Sequence, residues 1–583
     1  MSTKTNWFKE AVVYQIYPLS FKDGNNDGYG DIEGIISKLD YIKNLGVTAI
    51  WFSPLYDSPW KDYGYDIRDF RKIHERFGTM EDFDKLVKEC HDRDLKVIMD
   101  MTLNHTSDEH EWFRKAIRSK QLDQNKYRKY YYIEKGENRA AHLGGGRFSR
   151  NYDMVKTLLP PTNWESVFTG PAWTRITGSN KFYMHLFSEE QPDLNWENPE
   201  VREEMKEVLK FWLDKGVDGF RLDVFNLISK VQPLTDDHAM GTLADGSAYF
   251  VDGPRMHEFL KELNKDVFSK YDTFVVGEAY HPNREDALEY VREDNHEIDA
   301  IFNFNHLDTD SYNGMKFIPK KFDLIGYKCG LLNPQKDNYG KGWNTLVVEN
   351  HDQPRSICRF GLGYRRHRFQ VATMLAITTF MGYGTPFIYQ GEEIGMTNTN
   401  FKSLSDMKDP VSRKVFALMR DKKVPAPVAF GMVKYGARDH ARTPMQWSAS
   451  RNAGFNDGSA EPWQIVNPDY KEINVERDLA SGVRSIYKFY QELLEIKKNN
   501  PVAIYGDVTE TDHESSSVLA FTRSYEGKRL HIVGNFTGRK LGYPMPEGLD
   551  PSRLRVLLSN YDDTEVSGSM LMRPYEAFIL EEI

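Results

Sequence analysis

Three short runs in the 583-residue chain each close on carboxylates after a stretch of apolar residues: Gly219-Phe220-Arg221-Leu222-Asp223-Val224, Phe274-Val275-Val276-Gly277-Glu278-Ala279 and Thr345-Leu346-Val347-Val348-Glu349-Asn350-His351-Asp352. Runs of this kind read as buried strands. Residues two apart in a strand share a face, so Arg221 and Asp223 point the same way and can pair. A charged pair in so apolar a setting is costly unless it is hydrogen-bonded or used. Alone, it reads equally well as a structural salt bridge. Three strand ends that each deliver an acid describe a reaction centre instead. One carboxylate as nucleophile or base and a second as proton donor is the equipment of glycoside hydrolysis, with an oxocarbenium-like transition state between them. The retaining form needs the pair about 5–5.5 Å apart, a gap that two adjacent strands could supply.

The elements that must position these acids follow a strand–helix rhythm, which implies a parallel sheet. Strands are expected at 12–18, 47–54, 96–101, 219–224, 274–279, 301–306, 345–352 and 385–393. Eight such strands make an α/β fold, a (β/α)8 barrel with its active site at the strand C-termini. From 106 to 181 the rhythm breaks into a long aromatic stretch with Gly144-Gly145-Gly146 and Pro160-Pro161, better read as an inserted domain over that face than as a loop. The barrel is expected to run over 1–105 and again over 182–503, with Phe182–Phe187 marking its resumption. Short alternating strands over 504–583, such as Ser517–Phe521 and Leu530–Phe536, predict a C-terminal antiparallel β-sandwich.

The first strand is followed by Asp23-Gly24-Asn25-Asn26-Asp27-Gly28-Tyr29-Gly30-Asp31-Ile32-Glu33. Oxygen side chains at Asp23, Asn25, Asp27 and Asp31, with Gly28 at the turn, follow the spacing of an EF-hand loop. The position-12 glutamate is replaced by Gly34. A structural Ca2+ or Mg2+ ion is expected here, with the Tyr29 carbonyl and Glu33 completing the set; the plainer reading is a polar turn without metal. Net charge is −10, which argues against nucleic acid and anionic membranes as partners. Small neutral molecules suit it better, and aromatic residues at 13% can serve as stacking platforms for sugar rings as well as core. Three scattered cysteines (Cys90, Cys329, Cys358) suit free thiols in a reducing compartment. With neither a secretory signal nor an apolar run long enough to span a membrane in view, a cytoplasmic monomer or weak homo-oligomer is expected.

Together with Met101-Thr102-Leu103-Asn104-His105, the three acid-bearing segments resemble the four signature regions of the α-amylase family of retaining glycosidases. Gln191-Pro192-Asp193-Leu194-Asn195 is similar to the marker of its oligo-1,6-glucosidase group, as are Tyr389–Asn398 and Asp439–Trp447. The resemblance runs from about Trp7 to the end. It implies Asp223 as nucleophile, Glu278 as general acid/base, and Asp352 as the carboxylate that holds the sugar hydroxyls. Arg221 would keep Asp223 ionised, since a nearby cation lowers a carboxylate pKa. His105 and His351 would bind hydroxyls of the glucose at the cleavage site. Asp62, Tyr65 and an arginine of the 438–442 segment, Arg442, would close the far end, and Phe187 and Gln191 would line the pocket. A closed pocket forces attack from the non-reducing end. Val224, directly after the nucleophile, resembles the 1,6-cleaving enzymes of the group, where alanine is typical of 1,4-specific ones; it could also simply fill barrel core.

Three departures bear on the acceptor side. Ala279-Tyr280-His281-Pro282 differs from the group's common pattern after the acid. Residues 139–163 look like an extra piece of the insertion. The basic run Arg359–Arg368 would contact an anionic substrate such as trehalose 6-phosphate, unless it is a solvated face. The expected activity is thus that of an exo-acting retaining α-glucosidase on isomaltose-type ends. A trehalose-6-phosphate hydrolase, a sucrose isomerase or transglucosidase, an α-1,4-glucosidase and, remotely, a noncatalytic scaffold are the alternatives.

Overall fold

The computed structural model describes residues 4–118, 125–140, 156–238, 245–312, 314–361, 363–545 and 549–583. Eight parallel strands close into a barrel: β1 (Val13–Ile16), β2 (Ala49–Phe52), β3 (Lys96–Thr102), β4 (Gly219–Asp223), β5 (Phe274–Glu278), β6 (Ala300–Phe302), β7 (Trp343–Val347) and β8 (Thr385–Tyr389). Each pairs with its neighbours in sequence order, and β8 closes the ring on β1 with Val13 opposite Phe387. The strands are buried on both faces, which is why they read as near-continuous apolar runs. Several of the helices between them are amphipathic. Met80–His91 turns Phe83, Leu86, Val87 and Cys90 inward and starts on a capping box formed by Thr79 and Asp82.

The insertion after β3 carries a three-stranded antiparallel sheet in which Lys181–Met184 is the centre, flanked by Ile133–Lys135 and Trp173–Arg175. Phe182–Phe187 therefore belongs to the insertion, and is not the resumption of the barrel that its apolar pattern suggested. The chain returns where it left, through a β-bridge between His105 and Asp193. Of the extra segment at 139–163, residues 141–155 lie outside those described; Lys156–Leu159 pairs with Glu137–Ala140. A helical hairpin after β8, Pro410–Asp421 and Ala426–Gly436, was not foreseen and stands at the rim of the strand C-terminal face.

The C-terminal domain has a five-stranded antiparallel sheet, in the order Thr509–Glu510, Val518–Tyr525, Lys528–Asn535, Ala577–Glu582, Leu554–Ser559, and a two-stranded pair, Leu541–Pro544 with Ser569–Met572. Alternation along the strands gives it two faces. Val518, Ala520, Val533 and Phe578 pack with Tyr543, Met570 and Met572 of the two-stranded pair, while Leu519, Phe521, Ile532 and Ile579 join the core of the barrel. Among the described residues no helix is long and apolar enough to cross a membrane.

Candidate active site

The site is built on β3, β4 and β5. Arg221 on β4 stands opposite Asp100 on β3 in the sheet register. The buried guanidinium donates from Nη1 to Asp100 (2.7 Å) and to Asp223 (2.6 Å), and its Nη2 contacts the carboxylate of Glu278. One cation thus touches nucleophile and acid/base candidates together, which fits the closer of the two carboxylate spacings. Burial pushes the Asp223 carboxyl above its ordinary value, and Arg221 pulls against that rise. The expected lowering by Arg221 is therefore outweighed by burial. Asp100 is pushed up to about 7 by the same cause.

Asp352, in the turn that follows β7, is treated differently. Burial works to raise it, but His351, Arg438, Arg442 and Lys316 together hold it well below the usual carboxylate range. Arg442 Nη2 and Arg438 Nη1 donate to its Oδ1 at 2.7 and 3.0 Å. His351 is pushed down to about 3 by burial, so it is a neutral imidazole. Its Nδ1 accepts from Gln15 Nε2 (2.7 Å), which leaves the proton on Nε2, 2.6 Å from the Tyr65 hydroxyl; that hydroxyl donates onward to Asp100 (3.0 Å).

The cleft above the barrel is lined by Asp62, Tyr65, His105, Phe187, Gln191, Asp223, Val224, Glu278 and Asp352, with Arg438 among them. Arg221, His351 and Arg442 stand one layer behind the lining. Of the two arginines in the 438–442 segment, Arg438 is the one that faces the cleft. It donates to Asp409 (2.6 Å) and lies 3.5 Å from Asp62, joining Asp62, Asp352 and Asp409 into a charged wall. Asp62 is positioned by its loop: the Asp66 carboxylate accepts from Ser58 Oγ and from the Lys61 and Asp62 N–H groups at 2.9–3.0 Å. Its buried Oδ1 has the Arg438 guanidinium, 3.5 Å away, as its charged neighbour. Gln191 Nε2 donates to Asp62 Oδ2 and lies the same 3.2 Å from His105 Nε2. A buried Lys230–Asp193 ion pair (2.8 Å) fixes this segment, and Lys230 also donates to Asn104.

Val224 does not fill barrel core. It lies in the left-handed region (φ 35°, ψ 44°), uncommon for a β-branched residue, and packs with Phe187, Leu186 and Phe250 in the core of the insertion. The basic run at 359–368 does not reach the cleft. Arg359 is buried against Asp310 (2.6 Å), Arg368 donates to the Ile394 carbonyl, and the His367 ring lies tilted against Tyr575 of the C-terminal domain. None of its described residues lines the cleft, so the run is not placed where an anionic substrate in that cleft would meet it.

The Asp23 loop closes on itself. Asp23 accepts from the N–H groups of Asn26 and Gly28 and from Asn456, and Asp31 from those of Gly24, Asn25 and Gly34. Asn25 and Asp27 likewise accept from N–H groups two residues on. Among the described residues no three acidic, His or Cys side chains converge tightly enough to hold a metal. The all-oxygen donor chemistry is nonetheless that of a hard cation site.

The geometry has a counterpart in known proteins. Residues 15–506 match the α-amylase catalytic domain. The chain belongs to the α-amylase family of glycoside hydrolases. It is 43% identical over 576 residues to an oligo-1,6-glucosidase of Parageobacillus thermoglucosidasius, covering 98% of each chain. Among solved structures, the trehalose-6-phosphate hydrolase of Bacillus licheniformis superposes with a TM-score of 0.90 at 41% identity, 99% of each chain covered. The isomaltulose synthase of Protaminobacter rubrum gives 0.90 at 35% identity, covering 99% of this chain and all of that one. Within the family frame Asp100 is the residue that sequence reading passed over. The alternation that singled out Arg221 would have found it, because a lone aspartate inside the apolar run Val97–Met101 needs a buried cation.

Proposed function

We propose that the protein is an exo-acting retaining α-glucosidase that releases glucose from the non-reducing end of isomaltose-type oligosaccharides. The observation that carries this reading is the single guanidinium of Arg221 touching both Asp223 and Glu278 beneath a cleft whose inner end is walled by Asp62, Arg438 and Asp352. Asp223 attacks C1 of the bound glucose as Glu278 passes its proton to the glycosidic oxygen, so the C1–O bond breaks as a C1–Asp223 ester bond forms. Glu278, now a carboxylate, takes a proton from water, and the resulting hydroxide equivalent attacks C1 and frees Asp223. Asp352, kept ionised by its two arginines, accepts hydrogen bonds from ring hydroxyls and stabilises positive charge at C1. On this reading the wall behind it closes the pocket beyond one sugar, and Val224 shapes the leaving-group side for a 1,6 bond.

Product analysis on isomaltose, maltose, sucrose and trehalose 6-phosphate, beside Asp223→Asn, tests this. Glucose from isomaltose with little from maltose, abolished in the variant, is the expected result. Turnover of trehalose 6-phosphate alone, isomaltulose from sucrose, or full activity in the variant would each overturn it. We further read the enzyme as cytoplasmic, on its three free thiols, and as a monomer or weak homo-oligomer. The oxygen donors of Asp23, Asn25, Asp27, Tyr29, Asp31 and Glu33 support a Ca2+ or Mg2+ ion in that loop; a melting temperature unchanged between chelator and added Ca2+ or Mg2+ would refute it.

A further inference from the structure

The backbone pairing of β4 with β5 ends at Leu222 opposite Gly277, one residue short of both Asp223 and Glu278. Past that point the two loops that carry the reacting carboxylates would be free to splay. A side chain continues the pairing instead. The Tyr280 N–H donates to Asn226 Oδ1 (2.7 Å), and Asn226 Nδ2 donates back to the Tyr280 carbonyl (2.9 Å). This reciprocal pair is what a strand neighbour would supply. Asn226 is fully buried, and its Nδ2 also donates to Asp252 (2.9 Å), which accepts the Tyr290 hydroxyl (2.7 Å) and the Asn283 N–H (3.2 Å). A second contact acts beside it: the Phe225 ring fills the space over Gly277, where any Cβ would come within 2.3 Å of the ring.

We propose that Asn226 is a positioning residue that sets the separation of the nucleophile from the acid/base, by clamping the loop three residues after Asp223 to the loop two residues after Glu278. This rests on the retaining-glucosidase reading. The clamp matters most where Glu278 must reach the glycosidic oxygen with its proton, so its loss penalises poor leaving groups. Asn226→Ala is compared with wild type on isomaltose, whose leaving alcohol needs a proton, and on α-glucosyl fluoride, whose fluoride departs with little acid help. On isomaltose kcat/KM, which reports only the steps up to the glucosyl-enzyme and so leaves out the later water-activating role of Glu278, should fall roughly 10- to 100-fold, as expected for a displaced catalytic group. On the fluoride it should fall less than about threefold, because the positioned proton is not needed there. The melting temperature reports folding, and if the alanine variant lacks a melting transition, Asn226→Asp, which keeps the acceptor for Tyr280 N–H, is read in its place. Equal loss on both substrates, or none on isomaltose, would overturn the inference. A wild type inert on both substrates would instead overturn the function it rests on.

Discussion

At the scale of single residues, position 224 joins geometry to selectivity. Val224 is held in a backbone region that disfavours branched side chains, and it lines the cleft together with Phe187, a member of the same apolar cluster. Val224→Ala removes two methyls from that wall while leaving the reacting carboxylates in place. The ratio of kcat/KM for isomaltose over maltose should fall roughly tenfold, the usual worth of one or two methyl groups in an apolar subsite. An unchanged ratio would return Val224 to the role of filler. Asp223, Glu278 and Asp352 were legible in the sequence because each is a charge at the end of an apolar run. Arg438 was harder to choose, since it and Arg442 lie four apart and both donate to Asp352 Oδ1; only the fold puts Arg438 on the cleft wall and leaves Arg442 behind it. The rise of Asp223 was not legible, because burial outweighs the cation that sequence alone reveals.

At the scale of elements, the Gln191–Asn195 segment is a returning strap tied to the end of β3 and to the loop after β4. Its tie is the fully buried Lys230–Asp193 pair. Removing one member of such a pair leaves a bare charge in the interior, so Lys230→Met should destabilise the fold by about 3–5 kcal/mol. Restoring neutrality with Asp193→Leu alongside it should recover much of that stability, because apolar replacement of a whole pair is often close to neutral. Urea midpoints of the single and double variants measure both, and a single variant as stable as wild type would remove the tie from the argument. The barrel strands were visible from their apolar runs. Phe182–Phe187 misled because a strand of a small inserted sheet carries the same apolar signature as a barrel strand, and only its antiparallel partners tell them apart. The Arg359–Arg368 run misled because charge in a sequence does not disclose which face a helix turns inward.

For the whole molecule, buried ionisable groups pull stability in opposite directions with pH. His110, His306, His351 and His440 are pushed down by burial to about 3–4, so unfolding takes up protons at each below pH 6.5 and stability falls with pH there. Asp66, Asp100, Asp439 and Glu393 are pushed up by burial to about 6–7, so the folded state takes up protons earlier than the unfolded one and stability rises as pH falls. The two sets nearly cancel between pH 4 and 6.5. Below that Asp409, held to about 2 despite its burial by Arg438 and its neighbours, loses its contribution, and Asp352 with it. Calorimetry from pH 3 to 8 should therefore show a shallow dependence that breaks sharply below about pH 4, where these carboxylates take up protons in the unfolded chain while the folded protein still holds them ionised. A steady decline from pH 6.5 would show that the histidines dominate. Buried cations tie the C-terminal sheet to the barrel: Arg523 donates to the carbonyls of Met381 and Ala503, and Lys328 to those of Asp512, His513 and Ser515.

The closure of β8 onto β1 also governs the chain before it is finished. Strand β1 pairs with β2 early, but its other edge waits for residues 385–389 to leave the ribosome, an interval of tens of seconds at about 5–20 residues per second. Through that interval the nascent polypeptide presents an open sheet edge whose side chains, Val13, Tyr14 and Ile16, are all interior in the finished ring. Unpaired edges of this kind recruit other chains. Substitutions in β1 or β8 will therefore announce themselves first as lost yield during biosynthesis, and only afterwards in the properties of the protein that survives.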